Sequence, residues 1–431
     1  RIAHMVELGI APHQILAVTF TNKAAREMRE RVRKLIPRRR AAAGATQSAN
    51  PTIGTFHSFC VKILRQHIEH LGYKRNFVIY DESEQLAAVR KLMSNITAKG
   101  EKTDPRAILT MLSRVRLQES ADALFTDPSA AALARHIQAK YESTLRASNA
   151  VDFDDLLLLT LRLFHEHPQV LAQSQEQFQY VMVDEYQDTS AAQFRLVHSL
   201  TRHHSNLCVV GDDDQSIYGW RGAEIKNLLN LEQFYPGLKI IKLEQNYRST
   251  NTILTAANAL IRNNAQRRPK NLWSENGQGD RILIQTFPNE EEEARTIVET
   301  IDYARKMNQI PWSSQAILFR TNGQSRPLET ALRQAGVRYH LIGGQSFFDR
   351  REIKDLIAYL KVLINPHDDI SLLRIANVPA RGLSTTTMER LLSTSQERDS
   401  SVYAAMRHTD VQDSLLSRTP RSSPGVPLLD R

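Results

Sequence analysis

Cysteine is scarce in this chain, with only Cys60 and Cys208 among 431 residues. Two distant thiols cannot form a disulfide framework, and they argue against a zinc or iron–sulfur site. The sequence also has no apolar run of roughly 18 residues and no charged-then-apolar secretory pattern at its start. The lack of a long apolar run argues against a membrane span. The two cysteines are expected to be buried free thiols, which suits the reducing cytoplasm.

A glycine-rich phosphate-binding loop, in which backbone N–H groups and a lysine hold phosphates, is missing as well. The nearest candidate is ITAKGEKT at residues 96–103, but Ile96 and Glu101 stand at its two obligatory glycine positions. Because Glu101 would repel phosphate, this segment is rejected. No Ser-His-Asp or Cys-His arrangement is evident either, and the histidines lack metal-ligand spacing.

Length and charge give broader limits. At 431 residues the chain is too long for one core, so it should contain two or more domains. Lysine and arginine exceed aspartate and glutamate by 56 to 47, and the pI is about 9.5. A basic balance of this kind favours a polyanionic partner.

The most informative segments are two short apolar runs that end in carboxylates, YVMVDEYQDT at 180–189 and CVVGDDDQSIYGWR at 208–221. This pattern is typical of buried parallel strands that present acids at their carboxyl edge, where α/β folds bind ligands. Asp184 and Glu185 suit a metal ligand and a group that activates water in phosphoryl transfer. One such run alone would favour a strand ending in solvated acids. Two in tandem, the second followed by Gln215 and aromatics, favour nucleotide chemistry.

The periodicity of apolar residues predicts an α/β fold with helical insertions. Helical spacing dominates 81–149, and parallel-sheet patterns resume near residue 150. Further strands are expected at 281–286, 315–320 and 338–342. The predicted segments are a first α/β domain in two parts (1–80 and 150–277), a helical insertion (81–149), a partial second α/β domain (278–377), and the start of a second insertion with a disordered Ser/Pro/Arg-rich tail (378–431).

Several motifs together resemble the UvrD/Rep/PcrA family of superfamily 1 DNA helicases. The resemblance is strongest in DEYQDT at 184–189, VVGDDDQSIYGWRGA at 209–223 and LEQNYRST at 243–250. It extends from the first residues to about residue 390. Further motifs in family order lie at 17–32, 52–60, 151–159, 317–332 and 343–363.

The resemblance implies two RecA-like parallel-sheet domains of the P-loop NTPase type. It also implies an ATP-dependent DNA helicase that uses ATP and Mg²⁺ and moves 3′-to-5′ on single-stranded DNA or at single/double-strand junctions. Family members serve in DNA repair and replication. Their phosphate-binding loop precedes a helix like residues 1–8, and their last two motifs would lie beyond residue 390. The chain is therefore expected to be an internal fragment, inactive as an ATPase by itself.

By this resemblance five residues serve the nucleotide. Asp184 would ligate Mg²⁺, Glu185 would polarise the attacking water, and Gln215 would sense the γ-phosphate. Arg248 would reach the γ-phosphate with its planar guanidinium, and Tyr247 would stack on adenine. The structural alternatives are a turn residue for Gln215, a helix-start ion pair for Arg248 and core packing for Tyr247.

Eight further residues are DNA-binding candidates, because aromatic and small polar side chains at strand ends suit base stacking along a basic groove. Two more, Arg320 and Asn322, are candidates because the resemblance implies that they stand at DNA-contacting positions of the family. An isolated Phe or Trp is more often a core residue, but Trp220 stands in a polar, glycine-flanked segment. The candidates are Phe20, Thr21, Asn22, Thr55, His57, Phe153, Tyr218, Trp220, Arg320 and Asn322.

Two other functions remain open at this point. Helicase subunits of ATP-dependent nucleases share most of these motifs, and they would carry a nuclease domain elsewhere. A non-catalytic remnant that binds single-stranded DNA would retain the carboxylates without using them.

Overall fold

A computed structural model describes residues 1–36, 50–93, 104–117, 128–342, 351–379, 381, 383, 385–398 and 400–409. The motif segment at 343–350 and the tail from 410 to 431 lie outside these residues. The chain divides into two compact units. The first comprises residues 1–242, 264–269 and 357 onward, and the second comprises 243–263 and 270–356.

The described strands all belong to the first unit. They are β1 (Ile15–Thr19), β2 (Thr52–Thr55), β3 (Val78–Ile79), β4 (Ala150–Val151), β5 (Tyr180–Val183) and β6 (Leu207–Val209). Four of them form a parallel sheet in the order β2-β1-β5-β6, while β3 and β4 form a separate parallel pair. The prediction of a mixed α/β fold with a parallel sheet is confirmed.

Helices make up most of the rest of the described chain. They are α1 (Ile2–Glu7), α2 (Asn22–Leu35), α3 (Phe56–His67), α4 (Glu82–Met93), α5 (Pro105–Leu117), α6 (Pro128–Ala147), α7 (Phe153–Glu166), α8 (Pro168–Gln177), α9 (Ala191–Thr201), α10 (Lys226–Leu229), α11 (Leu231–Phe234), α12 (Asn251–Ile261), α13 (Glu290–Asn308), α14 (Ser325–Gln334), α15 (Arg351–Ile364), α16 (Asp369–Ile375), α17 (Thr385–Glu397) and α18 (Val402–Met406). No helix of the described residues is long and apolar enough to cross a membrane.

The main sheet is covered on both faces, which explains why β1 is apolar at nearly every position. Leu16 and Val18 point to a large core that also contains residues of α3, α7 and α9. Ile15 and Ala17 point to a smaller core formed with α1 and α2, which includes Val32. A strand buried on both faces needs a continuous apolar run, and all five residues of β1 are buried.

The helices α4, α5 and α6 form a cluster with its own apolar core, which contains Val89, Leu112 and Tyr141. The described parts of the predicted helical insertion are therefore helical. Residues 357–377 pack on the first unit, although the sequence places them in the second α/β domain. Lys361 pairs with Glu84 at 2.6 Å.

The second unit is built around α13 and α14, with a small core of Val298, Leu332 and Val337. The strands predicted at 281–286, 315–320 and 338–342 are not formed in this part of the described chain. No backbone hydrogen bonds join these three segments to one another. An apolar segment becomes a strand only when a neighbouring backbone pairs with it, so the pattern alone was insufficient.

Candidate active site and nucleic-acid interface

Asp184 and Glu185 directly follow β5, at the carboxyl edge of the main sheet. The backbone N–H of Asp184 donates to the carbonyl oxygen of Val18 at 2.9 Å, which holds this residue beside the end of β1. Burial raises the pKa of Asp184, and the neighbouring Glu185 carboxylate raises it further. The protein therefore places negative charge where it is unfavourable, which is typical of functional sites.

Glu185 has a left-handed backbone with φ of 53°. A non-glycine residue seldom adopts this conformation, and such residues cluster at functional sites. The exposed carboxylate of Glu185 accepts a hydrogen bond from Gln187 Nε2 at 2.7 Å. The turn thus exposes a carboxylate whose direction is set by a neighbouring amide.

Gln187 joins the two acidic loops of the site. Its side chain is buried, and its Oε1 accepts a hydrogen bond from the backbone N–H of Asp212 at 2.9 Å. Gly211 permits this approach, since a Cβ atom there would lie 2.9 Å from Gln187 Oε1 and 3.3 Å from the Gln187 backbone nitrogen. One amide therefore connects Glu185 after β5 with the loop after β6.

The loop after β6 carries three partly buried carboxylates, Asp212, Asp213 and Asp214, whose oxygens approach within 4.8 Å of one another. Arg267 neutralises part of this charge, with Nε and Nη2 each donating to Asp214 at 2.7 Å. Gln215 Nε2 donates to Asp212 Oδ2 at 2.6 Å. Gln215 is thus an exposed residue held against the acidic loop.

Asp188 adds a buried carboxylate on the same turn. Burial raises its pKa, with a further contribution from Glu185, and its Oδ1 has no hydrogen-bond partner in the described structure. Oxygen ligands with excess negative charge suit a hard cation such as Mg²⁺. The residues on this turn therefore fit a magnesium ion.

Three aromatic side chains form a row beside the acidic loops. Phe20 follows β1 and stacks on Tyr218 with ring centroids 5.5 Å apart, and Tyr218 lies 6.4 Å from Trp220. The guanidinium of Arg221 lies 4.6 Å from the Trp220 ring centroid. Trp220 is 65% exposed, so it is not a core residue. The structure thus brings together Phe20 and Tyr218, which are far apart in sequence.

His57 and Phe153 form a second aromatic pair, with ring centroids 5.5 Å apart in an edge arrangement. His57 lies in the first turn of α3, and burial lowers its pKa. Phe153 is the first residue of α7 and is 48% exposed. This exposure leaves part of the Phe153 ring available for stacking.

Two of the polar candidates have structural roles. The Thr21 hydroxyl accepts from the backbone N–H of Ala24 and caps α2, and the Thr55 hydroxyl accepts from the N–H of Ser58 and caps α3. Asn22 is exposed at the start of α2. Only Asn22 of these three has an exposed side chain without a capping role.

The second unit contains the other four candidates. Tyr247 is 79% exposed and its hydroxyl donates to Gln245, which rules out core packing. Arg248 is exposed, and its side chain has no ion-pair partner in the part of the chain that the structure describes. Arg320 lines a cavity of about 740 Å³, and Asn322 is exposed at the adjacent turn.

Sequence reasoning did not identify Gln187, Gly211 or Arg267 as site residues. Gln187 lies inside a motif that was recognised, but nothing in the sequence shows that its amide is buried between two loops. Arg267 reaches Asp214 across 53 positions, and no local pattern indicates such a pair.

Comparison with known proteins identifies the family of the chain. Residues 1–236 match the UvrD/REP helicase N-terminal domain, and residues 241–413 match the UvrD-like helicase C-terminal domain. The chain belongs to the UvrD/Rep helicase family.

Its relatives include the ATP-dependent DNA helicase PcrA of Bacillus subtilis, which is 44% identical over 95% of this chain and 55% of the relative. The enzyme of the same name from Staphylococcus aureus is 43% identical over 95% of this chain and 56% of its own length. The enzyme of the same name from Leuconostoc citreum is 42% identical over 97% of this chain and 55% of its own length. The chain spans about half the length of the curated relatives it matches.

Gly211→Ala should destabilise the first unit by about 1–3 kcal/mol, because the added Cβ would displace the buried Gln187 amide. Gly219→Ala is the matched control, since its Cβ would meet nothing within 4 Å. The control should change stability by at most about 0.5 kcal/mol. Urea unfolding followed by circular dichroism measures both, and equal midpoints for the two variants would contradict the close approach at Gly211.

Asp184→Asn should make the protein more stable near pH 8. The pKa of Asp184 is raised in the folded protein, so the charged carboxylate lowers stability at pH values above that pKa. The carboxyl group costs nothing once it is protonated in both the folded and the unfolded protein. The advantage of Asn should therefore shrink as pH falls through the folded pKa and vanish below the ordinary value of 3.8. Urea midpoints from about pH 8 downward measure this. A difference that does not change with pH would contradict the prediction.

Proposed function

We propose that this chain is part of an ATP-dependent DNA helicase that translocates on single-stranded DNA with 3′-to-5′ polarity. The observation that carries the proposal is the shared edge of the main sheet. Asp184 follows β5 and bonds to Val18 of β1, and the aromatic residue Phe20 lies two positions after Val18. Carboxylates for nucleotide chemistry and rings for base stacking therefore follow neighbouring strands. The relatives at 42–44% identity bear the name ATP-dependent DNA helicase.

In the proposed reaction the residues of the first unit divide the work. Asp184 would hold Mg²⁺, which when bound offsets charge on the phosphates. Glu185 would accept a proton from the attacking water, while the Gln187 amide keeps its carboxylate in position. Gln215 would contact the γ-phosphate. It stands in the same acidic loop that leads to Tyr218 and Trp220, so it is suited to link the two ligands.

By the family resemblance, two residues of the second unit are also proposed to bind ATP. Tyr247 would stack on the adenine base, and its exposed ring supports this role. Arg248 would bind the γ-phosphate, because its guanidinium is exposed and lacks an ion-pair partner among the described residues. A planar guanidinium matches phosphate geometry better than an ammonium does.

The DNA would lie along the aromatic side chains of the first unit. Phe20, Tyr218, Trp220 and Phe153 offer faces on which bases of any identity stack. Arg221 adds positive charge beside Trp220. Arg320 and Asn322 of the second unit are further proposed DNA contacts. The proposed partners are single-stranded DNA and its junctions with duplex DNA. The proposed location is the cytoplasm.

The chain should bind single-stranded DNA weakly, with an affinity that falls as salt rises, because phosphate contacts release counterions. Trp220→Ala should weaken binding by about 1–3 kcal/mol and leave the salt dependence nearly unchanged, since it removes stacking and not charge. Tyr303→Ala is the control, because Tyr303 is 61% exposed outside the site. Fluorescence titrations with oligo-dT at several salt concentrations measure both. Unchanged affinity for Trp220→Ala would remove this residue from the site.

Hydrolysis should require a phosphate-binding loop, which the 431-residue chain lacks, so we expect no DNA-stimulated ATPase activity from it. In a polypeptide that also carries such a loop, Glu185→Gln should bind Mg·ATP but hydrolyse it about 10²–10⁴ times more slowly. Asp184→Ala should instead weaken binding of the metal-bound nucleotide. Phosphate release and fluorescent nucleotide binding separate the two effects. Normal turnover by Glu185→Gln would contradict its role as the base.

A further inference from the structure

A buried arginine of the helical insertion holds the start of α7. Arg116 lies on α5 with its side chain 2% exposed, and its Nη1 donates to Asp152 Oδ2 at 2.7 Å. Its Nη2 donates to Asp155 Oδ1. One guanidinium therefore binds two of the three acids at the start of this helix.

A second helix of the insertion contacts the same carboxylate. The hydroxyl of Tyr141, on α6, donates to Asp152 Oδ2 at 3.0 Å, and Tyr141 is fully buried. The insertion thus reaches the start of α7 through two separate helices. Both contacts converge on one oxygen atom of Asp152.

Asp152 and Asp155 are also the capping box of α7. Asp152 Oδ1 accepts from the backbone N–H of Asp155 at 2.8 Å, and Asp155 Oδ2 accepts from the N–H of Asp152 at 3.0 Å. A capping box fixes the residue at which a helix begins and the direction from which the chain enters it. Phe153 is the next residue after Asp152, so the cap sets the place of its ring beside His57.

Stability alone does not account for this arrangement. Replacing a buried ion network with apolar residues of similar volume is often neutral or stabilising, so a buried network is weak evidence of a stabilising role. The network lies next to the half-exposed ring of Phe153, which faces solvent at the predicted DNA site.

We propose that Arg116 and Tyr141 are positioning residues of the single-stranded DNA site. They hold the capping box of α7 so that the Phe153 ring is presented to a base, and the helical insertion thereby sets the affinity for DNA. This inference rests on the proposed function. Neither residue touches DNA, and both act through Phe153.

Arg116 variants would leave two buried carboxylates unpaired and risk unfolding, so the test uses Tyr141→Phe, which removes one hydroxyl group. The measurement is fluorescence anisotropy of labelled oligo-dT with four proteins: wild type, Tyr141→Phe, Phe153→Ala and the double variant. If stacking on Phe153 is worth about 1–3 kcal/mol, Phe153→Ala should weaken binding roughly 10-fold. Tyr141→Phe should weaken it about 3-fold, as expected for one lost hydrogen bond. The double variant should bind like Phe153→Ala, with the salt dependence unchanged throughout.

Tyr80→Phe is the matched control. Tyr80 is also a buried tyrosine, and its hydroxyl donates at 2.8 Å to Asp368, the capping residue of α16, and not to the capping box of α7. This variant loses the same kind of bond and should bind oligo-dT like the wild type. Circular dichroism confirms that all variants are folded.

The outcomes separate the two proposals. If the wild type does not bind oligo-dT, the proposed function is overturned, and this inference is overturned with it. If the wild type binds but the Tyr141 and Phe153 effects multiply to about 30-fold, the positioning role alone is overturned. A Tyr141→Phe protein that binds like the wild type, or a Tyr80→Phe protein that is weakened equally, overturns the positioning role as well.

Discussion

The candidate site depends on the pairing of β5 with a parallel strand on each side. Asp184 donates its N–H to Val18 of β1, Val210 donates to Val183, and Tyr186 donates back to Val210, with distances of 2.8–3.0 Å. These bonds place the carboxyl ends of strands β1, β5 and β6 side by side at one edge of the sheet. Because parallel strands end at the same edge, backbone pairing brings together the acids after β5 and the aromatic residues after β1 and β6. Side-chain contacts such as the stacking of Phe20 on Tyr218 then join them. Backbone pairing thus creates the site, and the side chains supply its chemistry.

Much of the first unit was predictable because its signals are local. The apolar run of β5 followed by Asp184 and Glu185 marks a buried strand end, and the exposed Trp220 follows from a polar, glycine-flanked segment. The unpredicted features depend on contacts between distant residues. The Arg267 pair with Asp214 spans 53 positions. In the second unit the expected strands have suitable residues but lack a hydrogen-bonded neighbour among the described segments, and a periodic pattern cannot reveal whether that neighbour is present.

The site is costly for the fold. Burial raises the pKa of Asp184 and of Asp188, and Glu185 adds negative charge to both. Glu185 also has a left-handed backbone, which an ordinary turn residue would avoid. A protein selected only for stability would neutralise these carboxylates or expose them fully. A ligand of the opposite charge is what this arrangement would suit.

The acids at the start of α7 differ from the acids after β5 in the partners that they have within the protein. At the start of α7 the buried Asp152 and Asp155 share the Arg116 guanidinium, and their remaining oxygen atoms cap the helix. All four of their carboxylate oxygens are therefore bound within the protein. After β5 no lysine or arginine of the described chain forms an ion pair with Asp184 or Asp188, and one buried oxygen of Asp188 has no hydrogen bond. The same residue types therefore differ in what they can bind, because the acids at the start of α7 have an internal cation and those after β5 have none among the described residues. The acids without one are those that can bind an external cation.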